Sequence, residues 1–212
     1  MAKAVYNEIF KNFDGNSFIA DVRQQVSKQG LVCLQKQLLN DILGKHNLDI
    51  SHVYKGSKLI EERLHEKKVL IILDDVDHRE QLDALGGNLS WFGRGIRIII
   101  TTRDEQVLKR QVDNDNIYKP RELDDNQSLQ LFSMHAFQRD HPPIDYMHLS
   151  SEVVHYARGL PLTLEVLGSS LHDVREKEEW RSLLQKLKEV PPKEVQKKLR
   201  LSYDGLEDNE KA

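Results

Sequence analysis

The sequence predicts an α/β fold, a parallel sheet covered by helices, followed by an all-helical region. Three observations predict it. Val69 to Leu73 is an uninterrupted apolar run that leads straight into Asp74, Asp75 and Asp77. A run of that length without polar alternation fits a strand buried on both faces, as parallel sheets flanked by helices require. Arg97-Ile98-Ile99-Ile100-Thr101 reads as a second fully buried strand. Beyond Leu123 such runs stop, and apolar residues recur only at helical spacing.

Taken in order, Ala2 to Phe10 has helical periodicity with no capping residue before it. After the Asp14-Gly15 turn, Asn16 to Ala20 reads as a strand. Leu31, Leu34, Leu38, Leu39 and Ile42 share one helical face, and Leu59, Ile60 and Leu64 begin another before the Val69 strand. Asn116-Ile117-Tyr118 is expected to be a short third strand of this series. Asp124 with Gln127 has capping-box spacing, and Leu129, Phe132, Ala136 and Phe137 come after it at helical spacing. His141-Pro142-Pro143 interrupts, and Met147 to Ala157 resumes the helical pattern. Leu160, Leu164, Leu167 and Leu171, then Trp180, Leu183, Leu184 and Leu187, are stripes best explained as packing between neighbouring helices. Pro191-Pro192 separates a last charged segment, Lys193 to Leu201, from the polar stretch Asp204 to Ala212. The division expected is an α/β part over 1–123, a helical part over 124–190 and the opening of a third part over 191–212.

Composition bounds the function. With 31 basic and 34 acidic residues in 212, the net charge of −3 excludes the strongly basic footprint of a nucleic-acid binder. No apolar run reaches membrane-spanning length, and Met1-Ala2-Lys3-Ala4 is no signal-peptide core. The single cysteine, Cys33, cannot form an internal disulfide and is expected to be a buried thiol in a reducing, cytoplasmic setting.

The chemistry-bearing residues cluster after the strands. Ligands of open α/β sheets collect at the carboxyl ends of the strands, which is where Asp74 and Asp75 fall. In P-loop nucleotide-binding proteins this is the Walker B position, where one Asp holds Mg²⁺ and a neighbouring acid orients an attacking water. The alternative is that these acids cap the next turn. Gly93-Arg94-Gly95 leads into the second strand, and Thr101-Thr102-Arg103-Asp104 closes it, so Arg103 can reach a terminal phosphate; its alternative is a surface pair with Asp104 or Glu105. In Gly159-Leu160-Pro161-Leu162, Pro161 can occupy a first helical turn.

These strings, in this order, resemble the NB-ARC module of plant disease-resistance proteins with nucleotide-binding and leucine-rich-repeat regions. Phe13 to Arg23 is similar to the segment after that family's first helix, Val69 to Asp77 to its kinase-2 or Walker B motif, and Gly95 to Arg103 to its sensor strand. Tyr118 to Phe137 resembles the next block, Tyr156 to Leu162 its GLPL motif, and Leu199 to Leu206 the opening of its second ARC subdomain. Asp77, where the coiled-coil class usually has Trp, resembles the class with an N-terminal TIR domain.

The resemblance implies a partial P-loop NTPase-type sheet followed by a helical ARC subdomain. It makes Asp74 the Mg²⁺-site acid, Asp75 the acid beside the hydrolytic water, Arg103 the sensor of the terminal phosphate and Thr102 a further cofactor-binding residue. Gly159, Leu160 and Pro161 become the adenine side of the site, with Pro161 packing on the base. It further implies an ADP/ATP switch in innate immune signalling, working with TIR and leucine-rich-repeat domains and self-associating on activation. The family's Gly-rich phosphate loop would precede Met1, since Ala2 to Asn7 is similar to the helix immediately after it. The expectation is therefore a fragment that binds ATP and ADP weakly by itself. Two alternatives are a haloacid-dehalogenase-like phosphatase, suggested by Asp75-Val76-Asp77, and a nucleotide-free interaction fragment.

Overall fold

A computed structural model describes residues 1–44, 48–86, 91–92, 95–109 and 112–189. The expected segments from Pro191 onward, including Lys193 to Leu201, lie outside the described residues, as do Gly93 and Arg94. The chain divides into two compact units, Met1–Tyr118 and Lys119–Ala212.

The first unit is built on a three-stranded parallel sheet in the order β1 (Gly15–Ile19), β2 (Val69–Val76), β3 (Arg97–Thr102). Gly15 to Ile19 pairs in register with Val69 to Leu73, and Leu70 to Leu73 pairs with Arg97 to Ile100. Every side chain from Val69 to Leu73 is fully buried, as expected of a central strand. Each such burial contributes about 1.5–3 kcal/mol, which makes this run the anchor of the unit.

Helices cover both faces. Helix α1 (Ala2–Ile9) lays Ala2, Tyr6 and Ile9 with Leu70 and Ile72 on one face. On the other, α2 (Val22–Gln29), α3 (Leu31–Leu43), α4 (Val53–Leu64) and α5 (Arg79–Leu85) enclose Val69, Ile71 and Leu73. The buried Gln35 amide ties three of these helices, donating to the carbonyls of Val53 at 3.0 Å and Ala84 at 2.9 Å.

The structure corrects several expectations. Asn116-Ile117-Tyr118 is no strand: Asn114–Asn116 forms a short 3-10 turn and Tyr118 is exposed. One apolar residue among Asn and Asp offers too little to bury, and those side chains favour turns. Strand β3 is half-buried along Ile98 to Thr102 rather than fully buried, because among the described residues only β2 flanks it. Cys33 is exposed, its thiol donating to Gln29 Oε1, since Leu34 and Leu38 occupy the inward face of α3. Helices α2 and α5 have no counterpart among the expected elements; α2 is mostly polar and α5 has only seven residues.

Among the described residues the second unit is all-helical: α6 (Asp125–Phe137), α7 (Met147–Ala157), α8 (Pro161–Leu171) and α9 (Lys177–Glu189). The capping box at α6 forms as expected, Asp124 Oδ1 accepting from the Gln127 amide at 2.8 Å and Gln127 Oε1 from the Asp124 amide at 3.2 Å. Trp180 is fully buried against Phe132, Phe137 and Tyr146, and its indole N–H donates to the Val174 carbonyl. Leu164, Leu167, Leu171, Leu184 and Leu187 of the two leucine stripes join Ala136 and, from α7, Leu149, Val153, Val154 and Ala157 in this core. No helix among the described residues is long and apolar enough to cross a membrane.

Candidate functional site

Three parallel strands deliver their carboxyl ends to one place in the first unit. The centre of that place is an irregularity in β2. Leu73 pairs with Ile100 but Val76 pairs with Thr102, so β2 carries one extra residue against β3. Asp75 takes it up by adopting φ 55, a left-handed conformation that Asp tolerates better than most residues.

Thr101 stitches the bulge. Its hydroxyl accepts from the Asp75 amide at 2.9 Å and donates to Asp74 Oδ1 at 2.5 Å. The amide displaced from the ladder thus keeps a partner, and the Asp74 carboxylate is held in one orientation. Asp75 in turn receives two guanidinium groups. Arg103 meets it as a fork, Nε to Oδ1 at 2.7 Å and an Nη to Oδ2 at 2.8 Å. Arg23, in the first turn of α2 just past β1, places Nε 3.1 Å from the same Oδ2. Parallel N–H···O bonds of this type are among the stronger side-chain contacts. Asp75 is 21% exposed, so water only partly screens them.

Of the residues singled out in sequence, Asp74, Asp75 and Arg103 therefore come together. Arg103 pairs with Asp75, not with Asp104 or Glu105. Thr102 is turned into the local loop, its hydroxyl donating to the Asp104 carbonyl at 3.2 Å and accepting from the Asp104 amide at 3.1 Å. Asp77 serves the next helix: it accepts from Gln81 Nε2 at 2.8 Å, and its amide donates to Gln81 Oε1. The capping alternative thus describes Asp77 but neither Asp74 nor Asp75. His78, beside it, is raised above the usual imidazole value by a backbone hydrogen bond with Asp77 and by the Asp77 charge.

Gly159, Leu160 and Pro161 lie in the second unit. Gly159 is buried with φ 70, and a Cβ there would stand 2.3 Å from the Leu123 carbonyl oxygen. Its own carbonyl accepts from the Leu123 amide at 2.9 Å. Only glycine satisfies both demands. Leu160 is the extended residue before α8, and Pro161 opens that helix as an exposed first-turn proline.

Arg23 and Thr101 are the site residues that sequence alone does not single out. Thr101 stands inside a string of interest, but its role depends on the bulge.

The donor set suits Mg²⁺ in a limited way. Asp74 offers a hard oxygen, and among the described residues no basic group pairs with it. Both Asp75 oxygens are engaged by arginines, and the described residues contain no cluster of three or more potential metal ligands. One carboxylate completed by phosphate oxygens and water is a normal Mg²⁺ arrangement.

A parallel sheet with helices on both faces and acids at its carboxyl end has the architecture of P-loop NTPase-type α/β proteins. Residues 1–142 match the NB-ARC domain model, and the chain belongs to that family. It is 42% identical over its whole length to disease resistance protein RUN1 of Vitis rotundifolia and 43% identical over 92% of its length to TMV resistance protein N of Nicotiana glutinosa. It is 38% identical over 97% of its length to SUPPRESSOR OF npr1-1, CONSTITUTIVE 1 of Arabidopsis thaliana. The chain spans only 16% of the first two relatives and 14% of the third. Family membership displaces the phosphatase alternative, and the geometry agrees, since a nucleophilic Asp75 would need an oxygen free of guanidinium.

Proposed function

We propose that this chain is the core of an adenine-nucleotide switch in plant defence signalling. The observation that carries the reading is the Arg103–Asp75 fork at the carboxyl end of the parallel sheet. Arg103 uses two donors on Asp75 and is 38% exposed, so its remaining donors face solvent. A terminal phosphate offered beside it competes with Asp75 for the same planar fork, whereas a diphosphate does not extend to it. The two nucleotides then favour different pairings, and a ligand shifts a conformational equilibrium only through such a difference.

Asp74 would hold Mg²⁺, which supplies charge neutralisation at the phosphates when bound. Thr101 keeps Asp74 oriented for that role. With Arg103 withdrawn, Asp75 Oδ1 is left to accept from a water, the position an orienting acid needs. Thr102 shapes the loop that carries Arg103. Gly159 and Leu160 set the start of α8, and the family assigns them and Pro161 to the adenine.

Other features of the switch come from the family. The helical part is the first ARC subdomain, residues 191–212 open the second, and the parent protein is cytoplasmic, with TIR and leucine-rich-repeat domains and self-association on activation. The test is Arg103→Ala and Asp74→Asn, each made in the parent protein that carries the family's phosphate loop and measured by calorimetry with ATP and ADP in the presence and absence of Mg²⁺. Arg103→Ala should weaken ATP more than ADP, and Asp74→Asn should abolish the effect of Mg²⁺. Equal losses for both nucleotides would make Arg103 a structural residue, and an unchanged Mg²⁺ effect would remove Asp74 from the metal.

A further inference from the structure

The site holds a fourth charged residue, beside Asp74, Asp75 and Arg103, that the nucleotide-switch reading leaves without a task. Arg23 reaches Asp75 Oδ2 from α2, while Arg103 bridges Oδ1 and Oδ2 from the end of β3. The two arginines therefore share one oxygen, and Oδ1 belongs to Arg103 alone. Arg23 approaches from the β1 side of the sheet and Arg103 from the β3 side, so either can leave without displacing the other.

We propose that Arg23 is a positioning residue that retains Asp75 when a terminal phosphate draws Arg103 away, and so sets how strongly the site prefers a nucleoside triphosphate to a diphosphate. This rests on the switch reading above. Withdrawing Arg103 without Arg23 present would leave a mostly buried carboxylate, in a left-handed backbone conformation, with no cation beside it. Leaving such a group unpaired is unfavourable, so the triphosphate complex would be penalised and the diphosphate complex, in which Arg103 stays on Asp75, would not. With Arg23 in place, one guanidinium stays on Oδ2. The carboxylate keeps its orientation while Oδ1 is released towards water.

The experiment tracks the side-chain Nε–Hε NMR signals of Arg23 and Arg103 in the full 212-residue chain. The probes are ATP and ADP with Mg²⁺, titrated to millimolar concentration. ATP should move the Arg103 signal away from its carboxylate-bonded position and leave that of Arg23 in place, and ADP should leave both. Arg23→Gln should raise the ATP concentration needed for the Arg103 shift about fivefold with the ADP titration unchanged, the size expected of a partly exposed ion pair. Arg23→Lys should recover most of the loss, which a merely structural arginine would not predict. Arg23 is 44% exposed, so neither variant threatens the core. If Arg103→Gln removes the distinction between ATP and ADP but Arg23→Gln does not alter it, the role given to Arg23 is wrong and the switch reading stands. If the wild-type Arg103 signal responds equally to both nucleotides, or stays fixed at saturating ATP, the switch reading itself fails.

Discussion

Replacing Thr101 by Val tests whether one hydroxyl holds the bulge together. Valine keeps the β-branched shape that suits a strand, so the change removes little besides the oxygen. Two contacts go with it, from the Asp75 amide at 2.9 Å and to Asp74 Oδ1 at 2.5 Å. A bond to a charged acceptor contributes about 1.5–3 kcal/mol and a neutral one about 0.5–1.5 kcal/mol. Both aspartates are half-buried, so water replaces part of each. The expected loss is about 2 kcal/mol, which for a unit of this size lowers its melting temperature by about 8 °C. Denaturant melts of the first unit's transition give the stability, and amide hydrogen exchange gives the local effect, with the Asp75 amide losing protection before its strand neighbours. Thr101→Ser should recover most of both. A Val variant within about 0.5 kcal/mol of wild type, or a Ser variant no better than Val, would refute the stitching role, since that is the range of an ordinary surface change.

Two further outcomes are expected. Gly159→Ala should destabilise the second unit by about 2–4 kcal/mol, because the new Cβ meets the Leu123 backbone and the left-handed φ is unfavourable for Ala; a thermal melt unchanged by the substitution would contradict the close approach. His78 should titrate above the ordinary imidazole value, and Asp77→Asn, which removes the charge but keeps the backbone hydrogen bond that is the larger cause, should lower it only in part, as monitored by ring-proton NMR. A raised folded-state value means that the charged His78 adds stability below the unfolded-state pKa, and that this contribution fades as pH rises through the folded-state pKa. A stability profile without that decline on the alkaline side would count against the His78–Asp77 contact.

Much of the fold is legible in the sequence because burial on both faces leaves a run such as Val69 to Leu73, and capping chemistry leaves a pair such as Asp124 and Gln127. Met147–Ala157 is legible to the residue, since its apolar positions repeat cleanly. Helix α2 is not, because beside Val22 and Val26 its residues are polar or charged and carry no period. Asn116 to Tyr118 misleads for the opposite reason, a β-branched residue and an aromatic in a context that cannot bury them. In the site, Asp74, Asp75 and Arg103 announce themselves by charge at strand ends. Arg23 and the function of Thr101 have no such mark, because both depend on which partner strand lies alongside and on a one-residue mismatch between two strands.

That mismatch also fixes which side of the sheet the chain faces as it leaves. Val69, Ile71 and Leu73 lie in the core beneath α2 to α5, and strict alternation would send residue 75 after them. Val76 joins that core instead, 1% exposed, because Asp75 absorbs one step of the count. The two adjacent aspartates are therefore not interchangeable copies of one charge. Deleting either would remove the bulge and restore strict alternation, so that Val76 would still follow Leu73 into the core, but only one carboxylate would remain at the strand end and the left-handed residue on which both arginines converge would be gone. At this position the length of the chain is as strict a requirement as its chemistry.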